Sequence, residues 1–267
     1  ALLSRRVASG VDPARRPRIL RRIRLALAFA ALLALVVAAA LGSLLLAQSE
    51  PIALQSGSPM LEIDALSRLA MLLLSLAGGL SIGLAATYLD ALHIHHGEYY
   101  ALLLLSLAGM FVAVAAENLM VLYLALELMS LPLHVLAGFD RRKPRGSEAG
   151  LKHFLSSVFA SAILLYGMAL LYGAGGELDY AGIRSAVDPA SPLALAGLAL
   201  MLAGLASRIG LVPFPGWLPG VQEGAPTAVS AFLSVAVPTT LFFVLLRFVL
   251  HAVPEFEASL RPIFGAL

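Results

Sequence analysis

No cysteine occurs anywhere in the 267 residues. That removes disulfide frameworks, thiolate metal sites and cysteine-held iron–sulfur clusters. Charge is scarce as well. Asp, Glu, Lys and Arg make up 13% of the chain, about half of the roughly 25% that an ordinary soluble domain carries. So little charge argues against a soluble globule, because the 60% of residues that are hydrophobic would leave large apolar patches in water. Lipid is the solvent in which the same surface is at home. Also missing are a phosphate-binding Gly-rich loop, a flavin or nicotinamide fingerprint, and a Ser–His–Asp set with a nucleophile elbow. No residue therefore qualifies as a catalytic candidate, and no metal or cofactor set stands out.

What is there is long apolar segments. A helix that spans a bilayer needs about 20 predominantly apolar residues. Seven segments meet that requirement: 25–47, 61–87, 98–116, 118–138, 152–173, 192–212 and 228–251. The expected fold class is all-α, a polytopic transmembrane helical bundle of about seven spans over 25–251. A basic arm, 1–24, precedes it and a tail, 252–267, follows. Segments 98–116 and 118–138 are joined only at Glu117-Asn118, which predicts a tight antiparallel hairpin. The longest connections are 48–60 and 174–191. Glycine-rich stretches such as LAGGLSIG read as close helix packing.

The net charge of +2 is small, but its distribution is informative. Eight of the eighteen Lys and Arg residues are Arg5, Arg6, Arg15, Arg16, Arg18, Arg21, Arg22 and Arg24. Four more are Arg141, Arg142, Lys143 and Arg145. Each cluster abuts an apolar segment, so both are topology signals rather than nucleic-acid contacts, and no nucleic-acid partner is expected. Basic loops stay in the cytoplasm. With the N-terminal arm inside, four helices separate the two clusters and place both on the same side. The acidic loop with Glu177, Asp179 and Asp188 then falls outside. A signal peptide does not fit, since the apolar run after Arg24 is about twice as long as an h-region. The run HIHHGE, with His93, His95, His96 and Glu98, matches no specific zinc spacing and reads as a wet interfacial loop.

A charge near the bilayer centre costs at least about 2.5–3.5 kcal/mol, which makes such residues functional candidates. Glu127, in LYLALELMSL, lies nine residues into its segment, at roughly 14 Å depth for a rise of about 1.5 Å per residue. It is either a protonated carboxyl held as packing glue or a carboxylate that exchanges protons or pairs with a cation. Lys152 opens the next segment and Arg208 lies deep in the one after. Each can snorkel to the interface; together with Glu127 they form a candidate buried ionic path. Segment 209–227, IGLVPFPGWLPGVQEGAPT, carries Pro213, Pro215, Pro219 and Pro226, each lacking a backbone donor. It predicts a broken helix, because irregular backbone at membrane depth survives only beside protein or a water-filled cavity; a loop at the membrane surface is the alternative. Pro238 falls in the middle of 228–251 and predicts a kink.

Two long runs carry a family resemblance. EYYALLLLSLAGMFVAVAAENLMVLYLALELMSLPLHVLAGF and, after it, SEAGLKHFLSSVFASAILLYGMALLYG resemble subunit N of bacterial NADH-quinone oxidoreductase, the antiporter-like membrane subunit of respiratory complex I. GLASRIGLVPFPGWLPGVQEGAPTAVSAFLS resembles that family's broken helix and the helix after it, and DALS at Asp64 fits weakly. The resemblance covers about residues 61–250, and ELMSL together with VPF, Trp217 and EGAPT is specific. Subunits L and M of the same superfamily are the nearest alternatives.

The resemblance implies proton translocation coupled to quinone reduction elsewhere in a large complex. It implies no cofactor in this chain, with quinone and redox centres in partner subunits, and other membrane subunits and the bilayer as partners. The family's Glu–Lys pair maps onto Glu127 and Lys152, and its broken-helix Lys onto Arg208. Arginine keeps the charge but does not readily release a proton. The family's His after VPF is Pro215 here, and the Lys of the next helix falls at Pro238. The spans then correspond to helices two to eight of a fourteen-helix subunit of the inner (plasma) membrane. Two functions follow from different classes: a proton-translocating subunit, or a degenerate homologue that serves as a structural or scaffolding subunit. A secondary transporter, which also uses broken helices and midplane charge, is a third.

Overall fold

The structure, a computed structural model, describes residues 52–56, 58–91 and 97–256. The basic arm 1–24, the segment 25–47, the three histidines at 93–96 and most of the tail 252–267 lie outside the described residues. The described chain opens with an antiparallel hairpin, β1 (Ile52–Ser56) and β2 (Ser58–Ile63). Eight helices follow: α1 (Ala65–Ala91), α2 (Glu98–Val114), α3 (Leu119–Ala137), α4 (Pro144–Gly175), α5 (Tyr180–Ala186), α6 (Pro192–Ile209), α7 (Leu218–Gly224) and α8 (Thr227–His251).

Six of the seven expected segments fall on helices, and side-chain chemistry sets their ends. Segment 61–87 starts late, at Ala65, because Asp64 and Ser67 form a reciprocal cap. The Ser67 amide donates to Asp64 Oδ1 at 2.8 Å and the Asp64 amide to Ser67 Oγ at 2.9 Å, satisfying donors the first turn leaves open. Residues 61–63 are strand instead, and part of the expected 48–60 connection is the hairpin. Asn118 caps α3 by accepting from the Met120 amide at 2.9 Å. Segment 152–173 begins eight residues early, at Pro144, because proline suits the first helical position. Gly210, at φ 79°, ends α6 in a left-handed cap that a residue with a Cβ adopts only with strain.

Helices α1, α3, α4, α6 and α8 are long and apolar enough to cross a membrane, while α2 is shorter at 17 residues. Their outer surfaces carry large apolar side chains: Leu124, Leu131 and Phe242 are each more than half exposed. Lipid, not water, is the partner for such a surface. Inside the bundle, small residues bring backbones together. A Cβ on Gly167 of α4 would stand 2.6 Å from the Met201 amide nitrogen and 2.7 Å from the Gly197 carbonyl oxygen of α6.

The two ends of the bundle differ in chemistry. At one, the hairpin, the α2–α3 junction and α5 are tied by bridges between Leu61 and Ala116 and between Asn118 and Asp179. This is the acidic face. At the other, the loop Arg141–Arg145 lies against the end of α7, where Gly224 meets the Arg145 carbonyl. This is the basic face.

Candidate functional site

Glu127 is the ninth of the 19 residues of α3, so the helix alone puts its carboxylate mid-bundle. Its partner is Arg208, whose Nη2 donates to Glu127 Oε1 at 2.5 Å. Arg208 does not snorkel; its side chain is 3% exposed, against 27% for Glu127. Two features make a buried guanidinium tolerable there. Arg208 occupies the last turn of α6, where the carbonyl end of the helix favours a cation. Its two Nη nitrogens are also hydrogen-bonded: Nη1 donates to Ser130 Oγ at 2.6 Å and Nη2 to Ser161 Oγ at 2.5 Å. Ser161 in turn donates to Glu127 Oε1 at 2.6 Å. Glu127 of α3, Ser161 of α4 and Arg208 of α6 thus close a charged, hydroxyl-lined network across three helices.

The helix break lies next to this pair. After Gly210 the chain turns through residues 211–214 and a short 3-10 turn, Pro215–Trp217, before α7. Trp217 Nε1 donates to the Ser207 carbonyl at 3.0 Å, alongside the Gly210 amide at 3.2 Å, at a helix end whose carbonyls lack regular helical partners. Pro213 and Pro215 sit in the break, and the Val212–Pro213 bond is cis. Pro219 opens α7, as proline can at a first turn, and so does not break a helix. Pro238 lies inside α8, which continues through it.

Lys152 is not the partner of Glu127. It pairs with Glu148 at 2.6 Å, one turn earlier on α4, with side chains 47% and 57% exposed. The reason is the early start of α4. Ser161 is the α4 residue level with Glu127, and Lys152 lies nine residues before it, about 14 Å along the axis. The ionic path expected through Glu127, Lys152 and Arg208 therefore reduces to Glu127–Arg208, with Lys152 at the basic face.

Three functional groups escape a reading of the sequence. Arg247 of α8, 1% exposed, binds a carboxylate cluster on the acidic face. Its Nε and Nη2 lie 2.6 Å from Glu117 Oε1, its Nη1 2.9 Å from Asp64 Oδ1, and its Nη2 3.9 Å from Glu62 Oε2. Glu117, expected only as a helix junction, also meets His251 Nδ1 at 2.8 Å. Glu62, Glu117 and His251 could offer ligand atoms to a metal, but the Arg247 guanidinium already provides the balancing positive charge. The third group is His134 of α3 and His153 of α4, buried rings whose centroids lie 4.8 Å apart. A histidine flanked by apolar residues near a helix end is the one signal that points to them.

Lipid-length helices, a broken helix and a buried ion pair beside the break define a multi-pass integral membrane protein of antiporter-like build. Residues 116–266, more than half of the chain, match the family model described as NADH:quinone oxidoreductase/Mrp antiporter, TM, and the chain belongs to that family. It is 43% identical over 202 residues to NADH-quinone oxidoreductase subunit N 1 of Sorangium cellulosum (73% of this chain, 40% of the relative). It is 44% identical over 187 residues to subunit N of Desulfovibrio desulfuricans (66% and 37%). The chain thus spans about two fifths of the curated relatives it matches. Among solved structures, a chain of respiratory complex I from Thermus thermophilus superposes with a TM-score of 0.71 at 35% identity, covering 84% of this chain and 48% of that one. The Mrp complex from Dietzia sp. shares the fold, with a TM-score of 0.69 at 23% identity (95% and 47%).

Proposed function

We propose that this chain is part of a proton-translocating membrane subunit of an NADH-quinone oxidoreductase, with Glu127 as the group that takes up and releases the proton. The observation that carries this reading is the Glu127–Arg208 pair. It is a carboxylate placed mid-bundle, bonded to a serine hydroxyl and to a cation that stays charged. In this reading a proton moves onto Glu127 as the pair opens and leaves it as the pair closes. Redox chemistry and quinone belong to partner subunits in this reading, and the chain's own partners are other membrane subunits and lipid. The basic face, with Arg141, Arg142, Lys143 and Arg145, lies in the cytoplasm together with the N-terminus, in a bacterial plasma membrane.

The test is Glu127→Gln in the assembled complex, reconstituted in liposomes. The expected result is retained NADH:quinone reductase activity and a lowered number of protons moved per NADH. Unchanged pumping at full assembly contradicts the reading.

Arg208 and Pro238 favour a second reading, a structural subunit without pumping, because neither titrates where the resemblance places a lysine. The same variant separates the two, since a scaffold loses assembly or nothing at all.

A further inference from the structure

Between the Glu127–Arg208 pair and the basic face lies a second polar cluster that this mechanism leaves unused. His134 is seven residues beyond Glu127 on α3, two turns along one face. His153 is eight residues before Ser161 on α4. Both are more than nine-tenths buried, and their rings meet edge to face, at 71°. Trp217, from the helix break, stacks on His153 at 5.2 Å and 27°. Burial of this kind normally comes with hydrogen bonds. Yet neither His134 nitrogen, nor His153 Nδ1, nor Arg208 Nε has a hydrogen-bond partner among the described residues.

Two of these side chains, His153 and Arg208, line a cavity of about 20 Å³ together with Ser130, Ser156, Ser157 and Trp217, and His134 lies behind the His153 ring. A water needs about 10–15 Å³ and two to four polar partners. The cavity is large enough, and its lining brings a guanidinium, an imidazole and three serines around one volume.

We propose that His134, His153 and one water in this cavity form the proton-loading branch from the basic face to the Glu127–Arg208 pair. The proposal rests on the proton-translocating reading above. A proton from the basic face adds to one ring nitrogen of His134 while the proton on its other nitrogen passes to His153. His153 releases its proton to the cavity water, which gives up one of its own toward Glu127, whose partner Arg208 lines the same cavity. One N–H or O–H bond breaks for each that forms. The sequence ends with both imidazoles neutral, Glu127 protonated and Arg208 still charged. Histidine suits this task because each ring has two nitrogens, so a proton taken up on one can be matched by a proton given up from the other.

The experiment uses the assembled complex in liposomes, comparing wild type, Glu127→Gln, His134→Gln, His153→Gln and the double histidine variant. Proton pumping and NADH:quinone reduction are measured together, and hydrogen–deuterium exchange of the Glu127 carboxyl is followed by infrared spectroscopy, its band identified by loss in Glu127→Gln. The double variant is expected to keep reductase activity and to slow both pumping and carboxyl exchange by about a hundredfold, the lower end of the range for loss of a positioned proton-transfer group. Full-rate carboxyl exchange and pumping in the double variant, with Glu127→Gln defective, overturns the branch and leaves the parent reading standing. Full pumping by Glu127→Gln overturns the parent reading and the branch with it. Should the double variant fail to assemble, His134→Gln, whose ring has no hydrogen bond to lose, carries the same prediction.

Discussion

Arg247 and Glu117, 130 residues apart in sequence, meet through two guanidinium nitrogens, each 2.6 Å from Glu117 Oε1. The same guanidinium reaches Asp64, Glu62 and the Glu62 carbonyl. One side chain of α8 therefore ties the hairpin, the cap of α1 and the α2–α3 junction into a single latch on the acidic face. Arg247→Ala leaves several carboxylates together, one of them buried, without their cation. Breaking a buried pair in this way costs about 3–5 kcal/mol. The expected outcome is a large drop in thermal stability in detergent, with Arg247→Lys intermediate because lysine lacks the planar fork.

Part of the latch depends on pH. Burial alone raises the Asp64 carboxyl, but the Ser67 amide, the Arg247 guanidinium and the Ser67 hydroxyl together hold it below its ordinary value. The folded-state pKa is thus lower than the unfolded one. Its stabilising contribution is complete above the ordinary carboxylate range and is lost as pH falls through the depressed folded value. Amide exchange at Glu62, which bonds the Ala115 carbonyl at 2.8 Å, and at Glu117, which bonds the Met60 carbonyl at 3.0 Å, reads this out. After correction for intrinsic rates, protection of both should fall at acid pH. Asp64→Asn should weaken that dependence.

Helix contacts make a contrasting pair of predictions. Gly167→Ala would push a methyl group into the backbone of Gly197 and Met201. Overpacking of this kind costs about 1–3 kcal/mol. A methyl group on Gly83 of α1 would instead enter open space, with no neighbouring helix within 4 Å among the described residues. Gly83→Ala should therefore be neutral or slightly stabilising, since alanine favours a helix. Melting temperatures of the two variants in one detergent check both.

Much of the fold is legible in the sequence because lipid imposes a length and a polarity that hydropathy reads directly. Helix ends are legible only where a cap stands out. The apolar pattern of 152–173 starts later than its helix does, because the first two turns, from Pro144, are polar and belong outside the apolar core. That shift explains Lys152: the first residue of the apolar run, it is a surface partner of Glu148 well into a longer helix. The mid-bundle Glu127 and the break around Pro213 and Pro215 are visible, since both violate the apolar pattern. Arg247 is not, because an arginine one turn from a helix end looks like a snorkelling residue and its partners lie more than a hundred residues away. His134 and His153 escape for a related reason; only packing of α3 against α4 brings them together.

Lys152→Gln should have little effect, because its pair with Glu148 is exposed on both sides and solvent screening leaves such surface pairs little net contribution. Both assembly and thermal stability of this variant should stay close to wild type.

The most direct test of the Glu127–Arg208 site compares protons moved per NADH in complexes carrying Glu127→Gln, Arg208→Gln and Lys152→Gln, each normalised to quinone reduction. The predicted result is a loss of pumping in the first two and retention in the third. Loss in Lys152→Gln with full pumping in Arg208→Gln would contradict it.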